Sequence, residues 1–388
     1  MKKRASWGKR LEQAFENYKR DRHYFKSAGT TAADYNRAHP SSRLSQEEIR
    51  EIDSYWARFG VRLKDYRWHQ MYYDFTGIRD PRFLPQNFAN SVIYPYYNDR
   101  KITAAWLDKN YFERFVPVLR FPETFGQKID GRYYDAEHRC YLPEDCAGFC
   151  RAVFSRLDPP ETVVIKKTTD TNQGKGVKLH SVSSVQELEE VLALYRSWDN
   201  LIIQRAIRQH PFFAQFNSSS VNIVRITTWR KGTEIVAAAP CIRFGIEGSV
   251  TDITRVNGRE IMNAIGVKED GTVMDQSYTL YGERRPFTGT LNKVPFWEDI
   301  VSLAKEGHRR LEHFGVVAWD MTVDENDRII CLEYNLNIPG TVVYQMAHGP
   351  FWGEQTDDFL AFLRDGENQK RYIPRKIRLR GKKSESDS

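Results

Sequence analysis

The chain has 388 residues, 40% of them hydrophobic and 13% aromatic. It is therefore long enough for two or three globular domains of about 100–200 residues each, and too apolar for a disordered protein. The formal charge is +7, and part of the basic excess lies at the ends, in residues 1–4 and 370–383. No apolar stretch approaches the ~20 residues that span a bilayer. We predict a cytoplasmic chain without a transmembrane segment, with peripheral contact at the inner face of the membrane as an alternative.

The first 67 residues are predicted to form a helical extension. Two stretches place apolar residues three and four positions apart, on one face of a helix. They are Trp7, Leu11, Phe15 and Tyr18, and then Ile49, Ile52, Trp56 and Phe59. Ser45 and Glu48 form a capping box ahead of the second stretch. Such stripes favour packing in a core, with binding to a membrane surface or a partner as the alternative.

After residue 67 the pattern changes to strands and short helices. Residues 68–160 indicate a small α/β unit, although 124–160 show no clear period. The strands predicted beyond it are Thr162–Lys166, Val177–His180, Leu201–Gln204, Val221–Trp229, Glu234–Ile242, Val316–Val323 and Ile329–Asn335. Two helices separate them, one capped by Ser184 with Glu187 and one carrying Ile300, Ala304, Leu311 and Phe314. The pattern predicts an α+β (α/β) fold with mostly antiparallel pairing.

The same pattern suggests where domains begin and end. We divide the chain into the extension 1–67, the α/β unit 68–160, a smaller subdomain 161–215, a C-terminal subdomain 216–365 and a basic disordered tail 366–388. The five cysteines are an odd number without CxxC spacing, which indicates reduced thiols and neither a disulfide framework nor a zinc site.

The strongest local pattern is the pair of strands joined by a polar turn at Asp324–Asp327. Because side chains alternate along a strand, Glu333 and Asn335 share one face, and Asp320 on the partner strand lies opposite or diagonal to them. Two carboxylates and an amide are costly to bury unless a cation satisfies them, and these hard oxygen ligands suit Mg²⁺. The pattern indicates a magnesium site, with an ordinary solvent-facing hairpin as the alternative.

A second pattern is an apolar strand that ends at Lys166, before a glycine-rich turn at 172–177. Gly174 and Gly176 let the backbone approach an anion, and the lysine adds positive charge. The spacing is not that of a P-loop. We expect a phosphate clamp here, with a plain turn as the alternative.

Taken in order, these segments resemble the ATP-grasp superfamily, most closely the sugar-transfer-associated ATP-grasp family linked to bacterial surface-polysaccharide genes. The matching segments are Asp108-Lys109 with Tyr111-Phe112, Lys166 with its glycine turn, 201–207, the arginine strand 221–228, and the hairpin 316–335. The resemblance covers roughly residues 90–350. It implies an ATP-grasp fold, in which two α+β subdomains clasp ATP, with 161–215 as the lid.

The resemblance also implies roles for individual residues. ATP contacts are expected from Lys109, Lys166, Gly174, Lys175, Gly176, Gln204, Arg205 and Ile207, with the segment 201–207 acting largely through backbone groups around adenine. Asp320, Glu333 and Asn335 are expected to hold Mg²⁺, with Mn²⁺ as an alternative. Lys166 and Arg225 are expected to balance charge on the transferred phosphate, with a surface or salt-bridge role as the alternative for Arg225. Candidates for holding an anionic substrate are Arg243, Asp252 and Arg255.

One segment departs from the family pattern. In the sugar-associated relatives the stretch equivalent to 243–260 tends to carry Asp-Asn followed by paired glycines. This chain retains Asp252 and lacks the glycine-rich turn. The loop is expected to face the second substrate.

The resemblance implies an ATP-dependent, ADP-forming ligase. A carboxylate attacks the γ-phosphate, and an amine or another nucleophile attacks the resulting acylphosphate. The expected partners are a small carboxylate and an amine or sugar, joined during glycan assembly. The alternatives are a kinase that phosphorylates a hydroxyl of a small molecule or sugar, and a non-catalytic nucleotide-binding scaffold. Nucleic acid is not expected, because acids balance the Lys and Arg of the body and no recognition module is visible.

Overall fold

The computed structural model describes residues 15, 31–41, 43–63, 65–169, 176–257 and 259–364. The chain divides into two compact units. Unit 1 comprises residues 1–100, 276–286 and 337–388, and unit 2 comprises 101–275 and 287–336. The predicted first helix (except Phe15, which is helical), most of the glycine turn and the predicted tail lie outside the described residues.

The helices follow one another along the chain as short segments. Residues 31–38 are helical. The others are α1 Gln46–Ala57, α2 Arg67–Thr76, α3 Gln86–Phe88, α4 Tyr94–Tyr97, α5 Arg100–Trp106, α6 Phe112–Phe115, α7 Cys146–Phe154, α8 Val185–Ala193, α9 Pro211–Ala214, α10 Trp297–Arg309, α11 Val342–His348 and α12 Thr356–Leu360. A π-helical segment covers Ala89–Ile93, and 3-10 turns cover Lys109–Tyr111, Pro143–Asp145, Gly353–Gln355 and Ala361–Arg364. No described helix is both long and apolar enough to cross a bilayer.

The strands occupy the middle of the chain. They are β1 Thr124–Ile129, β2 Arg132–Asp135, β3 Cys140–Tyr141, β4 Glu161–Lys167, β5 Val177–Val182, β6 Leu201–Arg205, β7 Ile223–Lys231, β8 Glu234–Phe244, β9 Ile253–Val256, β10 Arg259–Val267, β11 Val273–Thr279, β12 Arg284–Pro286, β13 Val316–Val323 and β14 Ile329–Asn335. The seven strands predicted from the sequence are all present, with ends that move by at most two residues. Strands β1–β3 and β9–β12 were not predicted.

Unit 1 contains α1, whose start follows from its sequence. Ser45 Oγ accepts a hydrogen bond from Glu48 N (3.1 Å), and the Glu48 carboxylate accepts one from Ser45 N (2.6 Å). This is the predicted capping box. Ile52 and Trp56 are fully buried. The apolar stripe of this helix therefore packs in a core.

The smaller sheet of unit 2 runs β3-β2-β1-β6-β4-β5, with antiparallel pairs. One face packs on α7 and α8 through side chains such as Val163 and Ile165. Because side chains alternate, Val164 and Lys166 face the other way. The segment 124–160 thus contributes three strands to this sheet. The other three strands come from residues after position 160. The five-part domain division stays a prediction.

The larger sheet of unit 2 runs β10-β8-β7-β13-β14, and β9 pairs with β10 outside this path. Helix α10 packs on it at Gly307, where an added Cβ would lie 2.9 Å from Cη2 of Trp319. Only glycine allows this approach. The helix ends at Arg309, so the predicted helix through Leu311 and Phe314 was too long, although both side chains are buried.

All five cysteines are free thiols.

Candidate functional site

Three charged side chains form a row across the larger sheet. The strand register pairs Arg225 of β7 with Asp320 of β13, and Asp320 with Glu333 of β14. Directly opposed residues point to the same face of a sheet. Asn335 lies two positions along β14, and its Nδ2 is 3.3 Å from Asp320 Oδ2 and 3.4 Å from Glu333 Oε1. The structure therefore brings the predicted trio of Asp320, Glu333 and Asn335 together.

Arg225 and Asp320 form a buried ion pair. Nε and Nη2 of the guanidinium donate to the two carboxylate oxygens, and the side chains are only 10% and 5% exposed. Such a two-donor fork fixes the orientation of both groups. Removing one partner of a buried pair leaves an uncompensated charge. The salt bridge that was the alternative role for Arg225 is therefore present. It joins Arg225 to Asp320, its neighbour in the row.

Two lysines lie near this row, Lys109 in the 3-10 turn Lys109–Tyr111 and Lys166 in the smaller sheet. Lys109 Nζ lies 3.3 Å from Glu333 Oε2. The backbone N of Lys109 donates to Thr168 O (3.3 Å), which ties its segment to the end of β4. Lys166 lies on β4 itself, opposite Val177 and Ile202. The lysines that the sequence separates by 57 positions therefore line the same cavity as Glu333, and Lys109 contacts its carboxylate.

The charges of this cluster shift one another's pKa values. Burial, together with the charge of Lys109, lowers the pKa of Lys166 to about 8, although Glu333 opposes the shift. Burial alone would raise the pKa of Glu333, but the combined attraction of Lys109, Arg225 and Lys166 outweighs it and lowers that pKa to about 2. Glu333 is therefore ionised at neutral pH, and Lys166 is mostly protonated.

A cavity of about 430 Å³ lies between the two sheets of unit 2. Four side chains of this cluster line it, whereas Arg225 and Asn335 do not. Its polar lining includes Lys109, Lys166, Asp320 and Glu333. Its apolar lining includes Val164, Leu179, Ile207 and Leu332. The combination of a charged end and apolar walls can hold a ligand with a flat apolar part and an anionic part.

Leu332 is a lining residue that the sequence analysis missed. The register of β13 and β14 shifts by one between Asp320 and Met321, which leaves Leu332 as an extra residue. As a result Leu332 and its neighbour Glu333 both line the cavity, whereas strict alternation would place them on opposite faces. No signal in the local sequence marks this bulge.

The predicted phosphate clamp is only partly described. Gly174 and Lys175 lie outside the described residues. Gly176 has φ of 81°, a left-handed conformation that favours glycine. Its carbonyl accepts a hydrogen bond from Lys167 N (3.1 Å), which closes the turn before β5.

The predicted adenine segment lies at the cavity with two of its side chains otherwise engaged. Arg205 and Ile207 line the cavity. The Arg205 guanidinium binds Glu123 (Nε–Oε2 2.9 Å) and Glu161. The side chain of Gln204 does not line this cavity, because its Nε2 donates to Pro122 O (3.2 Å) and Thr124 Oγ1 (3.3 Å). Backbone groups therefore remain the expected means of contact for Gln204 and Arg205.

The predicted substrate residues lie at another part of the same cavity. Asp252 lines it and forms an ion pair with Arg243 (Oδ2–Nη2 2.5 Å), whose side chain is 7% exposed. The sequence analysis missed the hydroxyl groups nearby, those of Ser218, Ser219, Ser220 and Thr251. Arg255 belongs to β9, and its side chain is outside the described part of the chain.

Asp320, Glu333 and Asn335 are the side chains here that could provide oxygen ligands for a metal ion. Among the described residues there is no group of three or more His, Cys, Asp and Glu side chains that could hold a metal. The trio offers two carboxylates and one amide. Mg²⁺ commonly binds through one or two carboxylates and takes its remaining ligands from water and substrate phosphates. The two carboxylates therefore fit Mg²⁺ together with a phosphate ligand, and the adjacent lysines fit that phosphate. Arg225 already donates to both Asp320 oxygens, and Asn335 would bind the ion through its amide oxygen, in the place where Nδ2 now contacts the carboxylates.

Comparison with known families identifies the fold. The model of the family described as sugar-transfer associated ATP-grasp matches residues 89–356. The chain belongs to the sugar-transfer associated ATP-grasp family. It has the α+β ATP-grasp fold, as predicted from the sequence.

Solved structures give weaker matches. The VanG D-Ala:D-Ser ligase from Enterococcus faecalis is 13% identical, with a TM-score of 0.42 over 66% of this chain and 60% of that one. An N5-carboxyaminoimidazole ribonucleotide synthetase is 14% identical, with a TM-score of 0.35 over 67% of this chain and 48% of that one. A D-cycloserine synthetase is 13% identical, with a TM-score of 0.38 over 68% of this chain and 70% of that one. The chain thus covers less than two thirds of the first two proteins. No substrate of this chain follows from such matches, and no curated protein matches significantly.

Proposed function

We propose that this chain is an ATP- and magnesium-dependent ligase that joins a carboxylate to an amine or a related nucleophile through an acylphosphate. We propose further that one substrate is a sugar or another small building block in surface-polysaccharide biosynthesis, in line with the family's association with sugar transfer. The observation that carries the proposal is the row of Arg225, Asp320 and Glu333, whose two carboxylates line one cavity together with Lys109, Lys166 and apolar walls.

The cavity suits a nucleoside triphosphate. Val164, Leu179 and Leu332 provide apolar surface for a base. Lys109 and Lys166 provide positive charge for the phosphates. Because burial disfavours the ammonium form of Lys166, a phosphate beside it would be favourable for both groups.

Asp320, Glu333 and Asn335 would hold Mg²⁺, and Arg225 orients Asp320 with its two donors. When bound, the ion neutralises charge on the phosphates. Phosphoryl transfer needs positioning and charge stabilisation more than a protein nucleophile. Lys109, Lys166 and Arg225 supply the positive charge in this arrangement.

Two steps complete the proposed reaction. A carboxylate oxygen of the substrate attacks the γ-phosphorus of ATP, and the bond to the β,γ-bridging oxygen breaks and releases ADP. The amine nitrogen then attacks the carbonyl carbon of the acylphosphate. Phosphate leaves with the former carboxylate oxygen, and the nitrogen loses a proton to give the amide.

Hydroxylamine tests this chemistry without knowledge of the natural amine. It converts an acylphosphate to a hydroxamate and does not react in this way with a phosphate ester of a hydroxyl group. We expect ADP release and hydroxamate formation with at least one member of a panel of uronic acids, amino acids and hydroxy acids. The Glu333→Gln variant should lose both signals.

Other results would replace the proposal. ADP release with a stable phosphorylated product and no hydroxamate would establish a kinase. Mg-ATP binding by calorimetry without turnover on any member of the panel would indicate a scaffold. Tight Mg-ATP binding that is unchanged in Glu333→Gln would remove the metal assignment.

A further inference from the structure

A second cavity, of about 310 Å³, lies on the same face of the smaller sheet as the first. Lys109 and Leu332 line both cavities. Gln127 of β1 and Gln204 of β6 contribute to its lining from the sheet. The proposed reaction assigns no role to this cavity.

The amide groups in this lining have fixed orientations. Gln127 Nε2 donates to Asn110 O (2.9 Å), and Gln204 Nε2 donates to Pro122 O (3.2 Å). Because a backbone carbonyl only accepts hydrogen bonds, these contacts identify the nitrogen of each amide, and the oxygen lies on the other side. Within the described part of the chain, no donor contacts Oε1 of either glutamine.

Asn110 also belongs to the lining. Its Nδ2 donates to Thr168 Oγ1 (3.1 Å). Its Oδ1 is buried and has no hydrogen-bond partner, in a residue that is only 6% exposed. An oxygen that is closed to solvent does not face the cavity, so the acceptors available to a ligand are the two glutamine oxygens. They favour a ligand that donates hydrogen bonds.

The formal charges of the lining balance. The carboxylates are those of Glu113, Glu123 and Asp135, and the basic side chains are those of Lys109, Arg114 and Arg156. Most of them already have partners. Arg156 pairs with Glu123 and Glu137, Lys109 pairs with Glu333, and Asp135 accepts from two backbone N–H groups and Tyr141 Oη. A charged ligand would upset this balance, so a neutral ligand is favoured.

We propose that this second cavity binds a neutral, hydroxyl-rich molecule of monosaccharide size, whose hydroxyl hydrogens are accepted by the amide oxygens of Gln127 and Gln204. Its volume is at the small end of the ~300–1,000 Å³ that is typical of ligand pockets. Hydroxyl groups also accept hydrogen bonds, which suits the guanidinium groups of Arg114 and Arg156. Phe112 and Phe121 supply an apolar wall. Binding here does not depend on the proposed ligase reaction.

Calorimetry and saturation-transfer NMR on the full chain test this site. The probes are glucose, galactose and N-acetylglucosamine, with glucosamine and glucuronate as their charged counterparts. We expect saturable 1:1 binding of at least one neutral sugar and weaker binding of both charged ones. Gln127→Met, which retains length and loses the amide, should weaken that binding about tenfold, or about 1.4 kcal/mol.

Matched variants separate a lost contact from a damaged fold. Gln186→Met changes an exposed glutamine of α8 outside the cavity and should leave sugar affinity unchanged. Glu113→Met removes a further acceptor from the lining and should weaken binding even if Gln127→Met fails to fold, which thermal unfolding shows. The proposal is overturned if no neutral sugar saturates the protein, if the charged sugars bind as well, or if folded Gln127→Met and Glu113→Met bind like the wild type. A parallel Mg-ATP titration reports on the first cavity alone.

Discussion

The two faces of β13 are both buried, but one packs in the apolar core and the other carries Asp320 into the lining of the first cavity. Val317, Trp319 and Met321 belong to the apolar core shared with α10, and each is 0% exposed. Asp320, on the other face, is 4% exposed and lines the first cavity. On the core face burial itself is favourable. On the cavity face burial of a carboxylate is unfavourable and raises the pKa of Asp320, and Arg225 opposes that shift. Burial therefore does not distinguish residues that stabilise the fold from residues that form the site, whereas side-chain chemistry does.

The largest expected effect is on the core face. Trp319→Ala should lower the free energy of unfolding by about 3–5 kcal/mol, because it leaves a cavity beneath Gly307. Urea denaturation measures this loss. Leu194→Ala, at a side chain that is 68% exposed, serves as the control and should change it by at most about 0.5 kcal/mol. A loss below about 1 kcal/mol for Trp319→Ala would contradict the distinction between the faces.

The next effect is on the cavity face. Glu333→Gln should reduce ATP-dependent hydroxamate formation about 10²–10³-fold, since a charge that supports phosphoryl transfer is lost. Its unfolding free energy should fall by less than that of Trp319→Ala, because the Glu333 side chain is 34% exposed and solvent screens its ion pairs. Steady-state kinetics and urea denaturation of the same preparation check both. Normal turnover in a folded variant would count against the site.

A smaller effect is expected on the pH dependence of the unfolding free energy, through the buried side chain of His308 in the core. Burial lowers the pKa of His308 to about 3, and the ring lies between Thr228 Oγ1 (2.7 Å) and Phe314 O (3.0 Å). Below pH 6.5 the unfolded chain binds a proton that the folded chain does not accept until about pH 3. Stability is therefore fully present above pH 6.5 and falls by up to about 1.4 kcal/mol per pH unit below it. Urea denaturation between pH 7 and 5 should show a shallower slope for His308→Gln, and an equal slope would disprove the assignment.

The smallest expected effect is on the pH dependence of Mg-ATP affinity, through Lys166 in the lining of the first cavity. The pKa of Lys166 is about 8 in the free protein, and a bound phosphate would raise it. Mg-ATP affinity should therefore be constant below pH 8 and fall above it, by at most about tenfold per pH unit, because binding then requires uptake of a proton. Calorimetry at pH 7, 8 and 9 measures this. Lys166→Arg should abolish the fall, since arginine stays protonated, and the same fall in both proteins would exclude Lys166 as its source.

Much of the fold follows from local patterns. The capping box at Ser45, the shared face of Glu333 and Asn335, and the seven strands come from alternation and capping rules that act over a few residues. The missed hairpin of β1 and β2 also carries a local signal. Asp130 and Gly131, with φ of 49° and 80°, form the Asp-Gly turn typical of such hairpins.

Other features depend on contacts between distant segments. The pairing of Arg225 with Asp320 joins strands 95 positions apart, and it changes the surroundings of a residue predicted to bind a metal. The bulge at Leu332 and the hydrogen bonds of the Gln204 side chain to Pro122 and Thr124 likewise depend on packing and register. The sequence by itself determined which residue types lie on each strand face, because alternation is local. The tertiary structure decided which charges neutralise one another and where the second cavity forms, because both depend on how the two sheets of unit 2 face each other.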